Sequence, residues 1–258
     1  MSEAGTVLEA RELAKSYGAT RALGGVSFEV AAGQTLGVVG ESGSGKSTLA
    51  RLMMALERPT SGQVLYRGEP IGSRRDRDLR DFRRHVQVVF QDPMSSLDPR
   101  MRVHDILAEP LRALGLVTDE DEQVRSLLAS VELPAEAARR RPHEFSGGQR
   151  QRIAIARALG PAPEVLVADE PVSALDVSVR AQILNLLGGL VRDLELTLVF
   201  ISHDMAVIRY LCRNVIVLHR GSIVEQGPAD RLFEQPQQSY TRELIEAAPR
   251  IRYRGASR

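Results

Sequence analysis

An apolar run, Thr35–Val39, passes directly into a glycine loop, Gly40–Ser47 (GESGSGKS), and then into a segment with helical spacing. A strand, a phosphate-sized loop and a helix in that order commit a chain to an α/β architecture. The loop fits G-x-x-x-x-G-K-[ST]. Gly43 and Gly45 let successive backbone N–H groups face inward with no Cβ in the way, and the positive end of the following helix adds to that field. Lys46 can reach the β- and γ-phosphates of a nucleotide, and the Ser47 hydroxyl can ligate Mg²⁺. The helix is expected over 47–55, with Leu49, Leu52, Met53 and Leu56 on one face.

Further short β-branched runs alternate with helical patterns, which predicts a mainly parallel sheet. Val86–Phe90 is one. Val165–Ala168 closes on Asp169 and Glu170, and Thr197–Ile201 closes on Ser202, His203 and Asp204. Val215–Leu218 and Ser222–Glu225 flank His219, Arg220 and Gly221, a hairpin pattern. The first thirty residues differ: Val7–Ala10 and Val26–Val30 alternate as antiparallel strands do. From Gln91 to about Gly160 the pattern is helical, broken by Asp92-Pro93, Asp98-Pro99 and Leu133-Pro134. Residues 74–84 read as a mixed-charge, solvated helix.

With 258 residues the chain can bury a substantial core. A net charge of +1 gives no global field for nucleic acid or anionic lipid, and 4% aromatics with no Trp argue against a base-stacking platform. No apolar run approaches the ~20 residues of a membrane-spanning helix. Met1–Ala4 opens no signal peptide, so the expected place is the cytosol, with any membrane role exerted through partners. Cys212 is the single cysteine and reads as a small core thiol.

Asp169 and Glu170 end a strand where open sheets place ligands, so Asp169 is a candidate Mg²⁺ carboxylate and Glu170 a candidate general base. A helix N-cap is the plainer role for such a pair. His203 ends the neighbouring strand, either touching a γ-phosphate oxygen or merely standing beside a cap made by Ser202 or Asp204. The Gln91 amide either touches Mg²⁺ or water, or finishes a turn. Tyr17, in a loop ending at Gly18, either stacks on adenine or packs. Phe145–Gln149 (FSGGQ) is a second phosphate-handling segment, suited to a nucleotide held by another copy or partner.

Together these residues resemble the nucleotide-binding subunit of an ATP-binding-cassette transporter, from Lys15–Gly18 to Ala247–Pro249. The Ser146–Gln149 signature, Ser173–Asp176 (SALD) and Ser202–Asp204 (SHD) stand in family order. Phe145 occupies a position where the family usually has Leu. The resemblance implies a P-loop NTPase (RecA-like) core, an N-terminal antiparallel β subdomain and an inserted α-helical signature subdomain. It divides the single ATPase domain into a core over 1–91 and 161–235, a helical part over 92–160 and a short C-terminal extension over 236–258.

It also implies ATP and Mg²⁺ as ligands. Tyr17 would stack on adenine. Gly40, Ser42, Gly43, Ser44, Gly45, Lys46, Ser47 and Thr48 would hold phosphate and metal. Gln91 would sense metal and membrane subunit. Asp169 would serve the metal, Glu170 act as base and His203 meet the γ-phosphate. Ser146, Gly147, Gly148 and Gln149 would grip the opposing nucleotide, and Asp176 would bridge two cassettes.

Phe90–Arg100 (FQDPMSSLDPR), Ile106–Leu111 (ILAEPL) and Gln238–Pro249 (QSYTRELIEAAP) are similar to importers of dipeptides, oligopeptides and nickel. Some of those relatives carry a cysteine cluster in the tail, which this chain cannot form. The implied partners are a second ATPase subunit (a heterodimer first, a homodimer as alternative), two membrane permeases and, indirectly, an extracytoplasmic solute-binding protein. The implied place is the cytoplasmic face of the membrane. A cassette ATPase acting on nucleic acid or ribosomes is disfavoured, since the chain has one cassette, no sustained heptads and near-neutral charge.

Overall fold

The computed structural model describes residues 5–71, 79–92 and 96–247. Among these, one sheet is antiparallel in the order β2-β1-β4-β5, formed by β1 (Thr6–Tyr17), β2 (Thr20–Ala31), β4 (Ser61–Tyr66) and β5 (Glu69–Pro70). The other runs β10-β9-β3-β8-β7-β6. It comprises β3 (Thr35–Val39), β6 (Val86–Val89), β7 (Val165–Asp169), β8 (Thr197–Ser202), β9 (Asn214–His219) and β10 (Ser222–Pro228). Neighbours from β9 to β6 are parallel, while β10 folds back antiparallel on β9. Arg220 and Gly221 make that turn with φ of 47° and 76°, the left-handed pair that a two-residue hairpin demands.

The helices are α1 (Lys46–Met53), α2 (Arg80–His85), α3 (Val103–Leu114), α4 (Glu120–Ser130), α5 (Gly147–Leu159), α6 (Val177–Asp193), α7 (Met205–Leu211), α8 (Ala229–Glu234) and α9 (Ser239–Ala247). Short 3-10 turns at Ala135–Arg139 and Pro142–Glu144 lead into α5. No helix among the described residues is long and apolar enough to cross a membrane.

The parallel strands are buried on both faces because their side chains alternate between two cores. On β8, Leu198 and Phe200 join the core beneath α3 to α7, whereas Val199 and Ile201 join the one beneath α1 and the antiparallel sheet. Each such side chain contributes about 1.5–3 kcal/mol on burial. Register then sets the functional edge. Val39 lies opposite Ser202, Ile201 opposite Asp169, and Ala168 opposite Val89. Four strands therefore end level, and the residues following them leave from one rim.

Some expectations need correction. Helix α1 begins at Lys46 and stops at Met53, because the chain turns at Ala55, whose φ is 53°. Leu49, Leu52 and Met53 are buried as expected, but Leu56 lies past the turn and is 54% exposed. Tyr17 is the last residue of β1 rather than part of a loop. Strand β4 has no counterpart in the sequence reading, since Ser61-Gly62-Gln63 masks its apolar end. Arg74–Asp78 of the mixed-charge segment lies outside the described residues; Arg80, Asp81, Arg83 and Arg84 stand exposed on α2 around buried Phe82.

Candidate nucleotide site

The loop after β3 is held from beneath by three segments distant in sequence. Gly45, with φ 107°, caps α1 so close to β2 that a Cβ would lie 2.5 Å from the Ala22 carbonyl oxygen. A Cβ on Gly40 would lie 2.1 Å from the Leu218 carbonyl oxygen. The Gly221 N–H donates to the Ser44 carbonyl at 2.9 Å, and the Glu41 N–H donates to the Tyr240 hydroxyl at 3.1 Å. Above Gly43, whose φ is 79°, a Cβ would meet nothing within 4 Å. The cradle is therefore tight underneath and open on top, the shape an anion requires.

Lys46 is 5% exposed, and its ammonium donates to the Gly40 and Glu41 carbonyls at 2.7 and 2.8 Å. Two of its three protons are thus used, leaving one for a ligand. Burial lowers its pKa, against the opposing pull of Glu170, Asp169 and Glu41. Ser44 Oγ is enclosed with no partner. Ser42 and Ser47 are exposed and Thr48 half-buried along the same loop and first turn.

At the end of β7, Asp169 has one carboxylate oxygen, Oδ1, buried without a partner. Burial raises its pKa and Glu170 adds to the shift, outweighing Lys46 and Arg51. Ser47, Gln91 and Asp169, with Arg51, Phe90, Asp92, Ser96 and Arg157, line a cleft of about 540 Å³. Glu170 has φ 46° and donates its N–H to the Ile201 carbonyl at 2.9 Å, turning its side chain off the strand line. His203 Nδ1 stands 3.1 Å from Glu170 Oε2, joining the ends of β7 and β8. Of the two roles considered for the SHD segment, the cap is formed: Asp204 accepts from the Ala206 and Val207 N–H groups at the start of α7, while His203 faces Glu170. Glu170 is not a helix cap.

Ser146 caps α5. Its Oγ accepts from the Gln149 N–H at 3.3 Å, while Gln149 Oε1 accepts from the Ser146 N–H at 3.0 Å. Ser146, Gly147 and Gln149 are exposed, but Gly148 is buried, and a Cβ there would lie 2.3 Å from Val179 Cγ1. The exchange of Leu for Phe145 keeps an apolar anchor: its ring is 4% exposed, with the Arg140 guanidinium 4.2 Å from its centroid. Asp176 is exposed and caps α6, accepting from Val179 N–H at 3.0 Å and the Ser178 hydroxyl at 2.8 Å, bonds that lower its pKa. Tyr17 is 44% exposed; its hydroxyl donates to Glu57, and the Lys15 ammonium lies 5.0 Å from its ring centroid.

Several supporting residues gave no sign in the sequence that they meet the phosphate loop or the rim. Gly221, Tyr240 and the Ala22 carbonyl reach the loop only through the tertiary fold. Arg180 pairs with Asp204 at 3.2 Å, bracing α7 behind His203. No spacing rule links positions that far apart.

A phosphate loop with a buried lysine, set beside an acidic strand end, defines a P-loop nucleoside triphosphatase. The comparisons narrow the class. A family model described as ABC transporter matches residues 23–173. The chain is 48% identical over 258 residues to the di/tripeptide transport ATP-binding protein DppF of Pseudomonas aeruginosa, across 95% of this chain and 80% of that protein. It is 45% identical over 232 residues to the oligopeptide transport ATP-binding protein OppF of Lactococcus lactis, across 89% and 73%. A solved dimeric ATP-binding cassette in a post-hydrolysis state, bound to ADP and Pi, superposes with a TM-score of 0.77 at 29% identity, covering 86% of this chain and 98% of that one. The chain belongs to the ABC transporter family, and its enzymatic activity is ATP hydrolysis.

Proposed function

We propose that this chain is the ATPase of a membrane importer of di- or oligopeptides, acting as one of two cassettes that sandwich ATP. The carrying observation is the division of the site. One rim holds Lys46, Asp169, Glu170 and His203 together, while Ser146–Gln149 presents a second, outward set of donors on α5. The second set is suited to a nucleotide seated on another cassette. The relatives named for di/tripeptide and oligopeptide transport favour peptides as cargo. The C-terminal stretch Gln238–Pro249 favours it too; residues 248 and 249 lie outside the described region.

The loop N–H groups and Lys46 bind the phosphates, and Tyr17 offers an exposed ring to the base. Asp169 Oδ1, Ser47 Oγ and Gln91 Oε1 form an all-oxygen set beside one cleft, and the enclosed, unpartnered Asp169 oxygen fits a hard cation. Mg²⁺ there would neutralise charge developing on the phosphoryl oxygens. Glu170 accepts the proton of the attacking water, and His203 orients Glu170 and the γ-phosphate. Ser146 and the N-terminus of α5 complete the γ-phosphate cage across the interface, with Asp176 next to it. The second cassette is a different subunit in the arrangement we favour. Two permeases and an extracytoplasmic binding protein complete the system.

Glu170→Gln tests the reading. Turnover should fall by roughly 10²-fold or more, the scale of a lost general base, while ATP binding and cassette pairing persist. Undiminished steady-state hydrolysis would remove Glu170 from its role.

A further inference from the structure

The C-terminal helix reaches the phosphate loop. Glu225 on β10 gathers the start of this segment, its carboxylate accepting the Gln237 and Gln238 N–H groups at 2.9 and 3.1 Å. Helix α9 then lays Tyr240, Leu244 and Ile245 against the core. The Tyr240 ring packs on His219 with centroids 3.9 Å apart, at the end of β9. From there its hydroxyl accepts the Glu41 N–H.

That N–H belongs to the peptide group whose carbonyl is Gly40 C=O, and this carbonyl accepts the Lys46 ammonium at 2.7 Å. A trans peptide is planar, with N–H and C=O pointing oppositely. Tyr240 and Lys46 therefore hold the two ends of one rigid unit. Rotation of that plane would withdraw the carbonyl that seats Lys46.

We propose that Tyr240 is a positioning residue for nucleotide binding: through the Gly40–Glu41 peptide it fixes where the Lys46 ammonium stands. The C-terminal segment is thus part of the phosphate site although it touches no phosphate. The inference rests on the ATP-binding reading of the loop. Tyr240 acts on the loop equally before and during reaction, so its loss should weaken affinity more than turnover. Coupling is reciprocal, so bound nucleotide in turn holds α9 down.

The test uses the full chain with Tyr240→Phe, which keeps the ring on His219 and deletes only the acceptor. A fluorescent ATP analogue is titrated directly, hydrolysis is measured against ATP concentration, and the nucleotide-free melting temperature is recorded. Affinity should fall roughly threefold to tenfold, the worth of one hydrogen bond, with KM rising in step and kcat within about twofold. An unchanged Kd and KM, or a lower melting temperature with affinity intact, would overturn the inference and leave Tyr240 a packing residue. Lys46→Ala runs alongside. Lost binding there with unaltered binding in Tyr240→Phe defeats this inference alone; retained binding in Lys46→Ala defeats the nucleotide reading beneath it.

Discussion

Asp169 ends β7 with a carboxylate oxygen enclosed and unpartnered, and a net upward pKa shift shows that burial outweighs the attraction of Lys46 and Arg51. A charge in that position opposes folding until a cation meets it. Asp169→Asn should therefore raise the melting temperature of the nucleotide-free protein by several degrees, equivalent to about 1–3 kcal/mol of relieved desolvation. The same change should abolish Mg²⁺-dependent turnover. A variant that melts lower than the parent would show that the carboxylate is satisfied in the free protein. Glu170 illustrates a different demand. Its φ of 46° lies in a region that non-glycine residues seldom occupy, and the backbone there is held by Ile201 and Ser173. Strain of that kind is kept where a side chain must be aimed, and here it faces His203.

At the level of elements, α5 and α6 meet without a spacer at Gly148. A Cβ at 2.3 Å from Val179 Cγ1 cannot be absorbed by a β-branched side chain with one preferred rotamer in a helix. Gly148→Ala should tilt the start of α5, costing about 1–3 kcal/mol of stability as overpacking does and most of the hydrolytic rate. Adding Val179→Ala should restore both, as thermal melts and turnover of the double variant would show. Failure of the second change to rescue would mean that Gly148 matters for its N–H approach to nucleotide and not for packing. The elements also show how far sequence carries. Strands β3, β7 and β8 were legible because continuous apolar runs end on glycine, an acidic pair or Ser202-His203-Asp204, and the residues of the candidate rim follow those runs directly. Strand β4 was hidden because Gly62 and Gln63 interrupt its pattern where it pairs with β1. Leu56 was misplaced because a periodic pattern does not reveal that the backbone turns at Ala55. Tyr240 bonds to a residue 199 positions away, which no local pattern encodes.

For the molecule as a whole, Ser146, Gly147, Gln149 and Asp176 stand exposed, and on the proposed reading they serve a nucleotide seated on another cassette. Where two copies of this chain pair with one another, hydrolysis should therefore rise more steeply than linearly with protein concentration in the dilute range. Where the second cassette is a different subunit, the same rise in hydrolysis should follow addition of that subunit. Ser146→Ala should lower it at every concentration, and mixing that variant with Lys46→Ala should restore only composite sites in which both halves are intact. Strictly linear rates from a monomer, indifferent to Ser146, would contradict a shared centre. The bond pattern around Ser146 bears on how such a centre forms. Its oxygen already receives the Gln149 N–H, which anchors the oxygen to the helix and leaves the hydroxyl proton for a further acceptor. The Ser146–Gln149 cap is thus formed in the single chain, before any companion arrives. On the proposed pairing, engagement then asks for a rigid approach and not for local refolding of that capped turn.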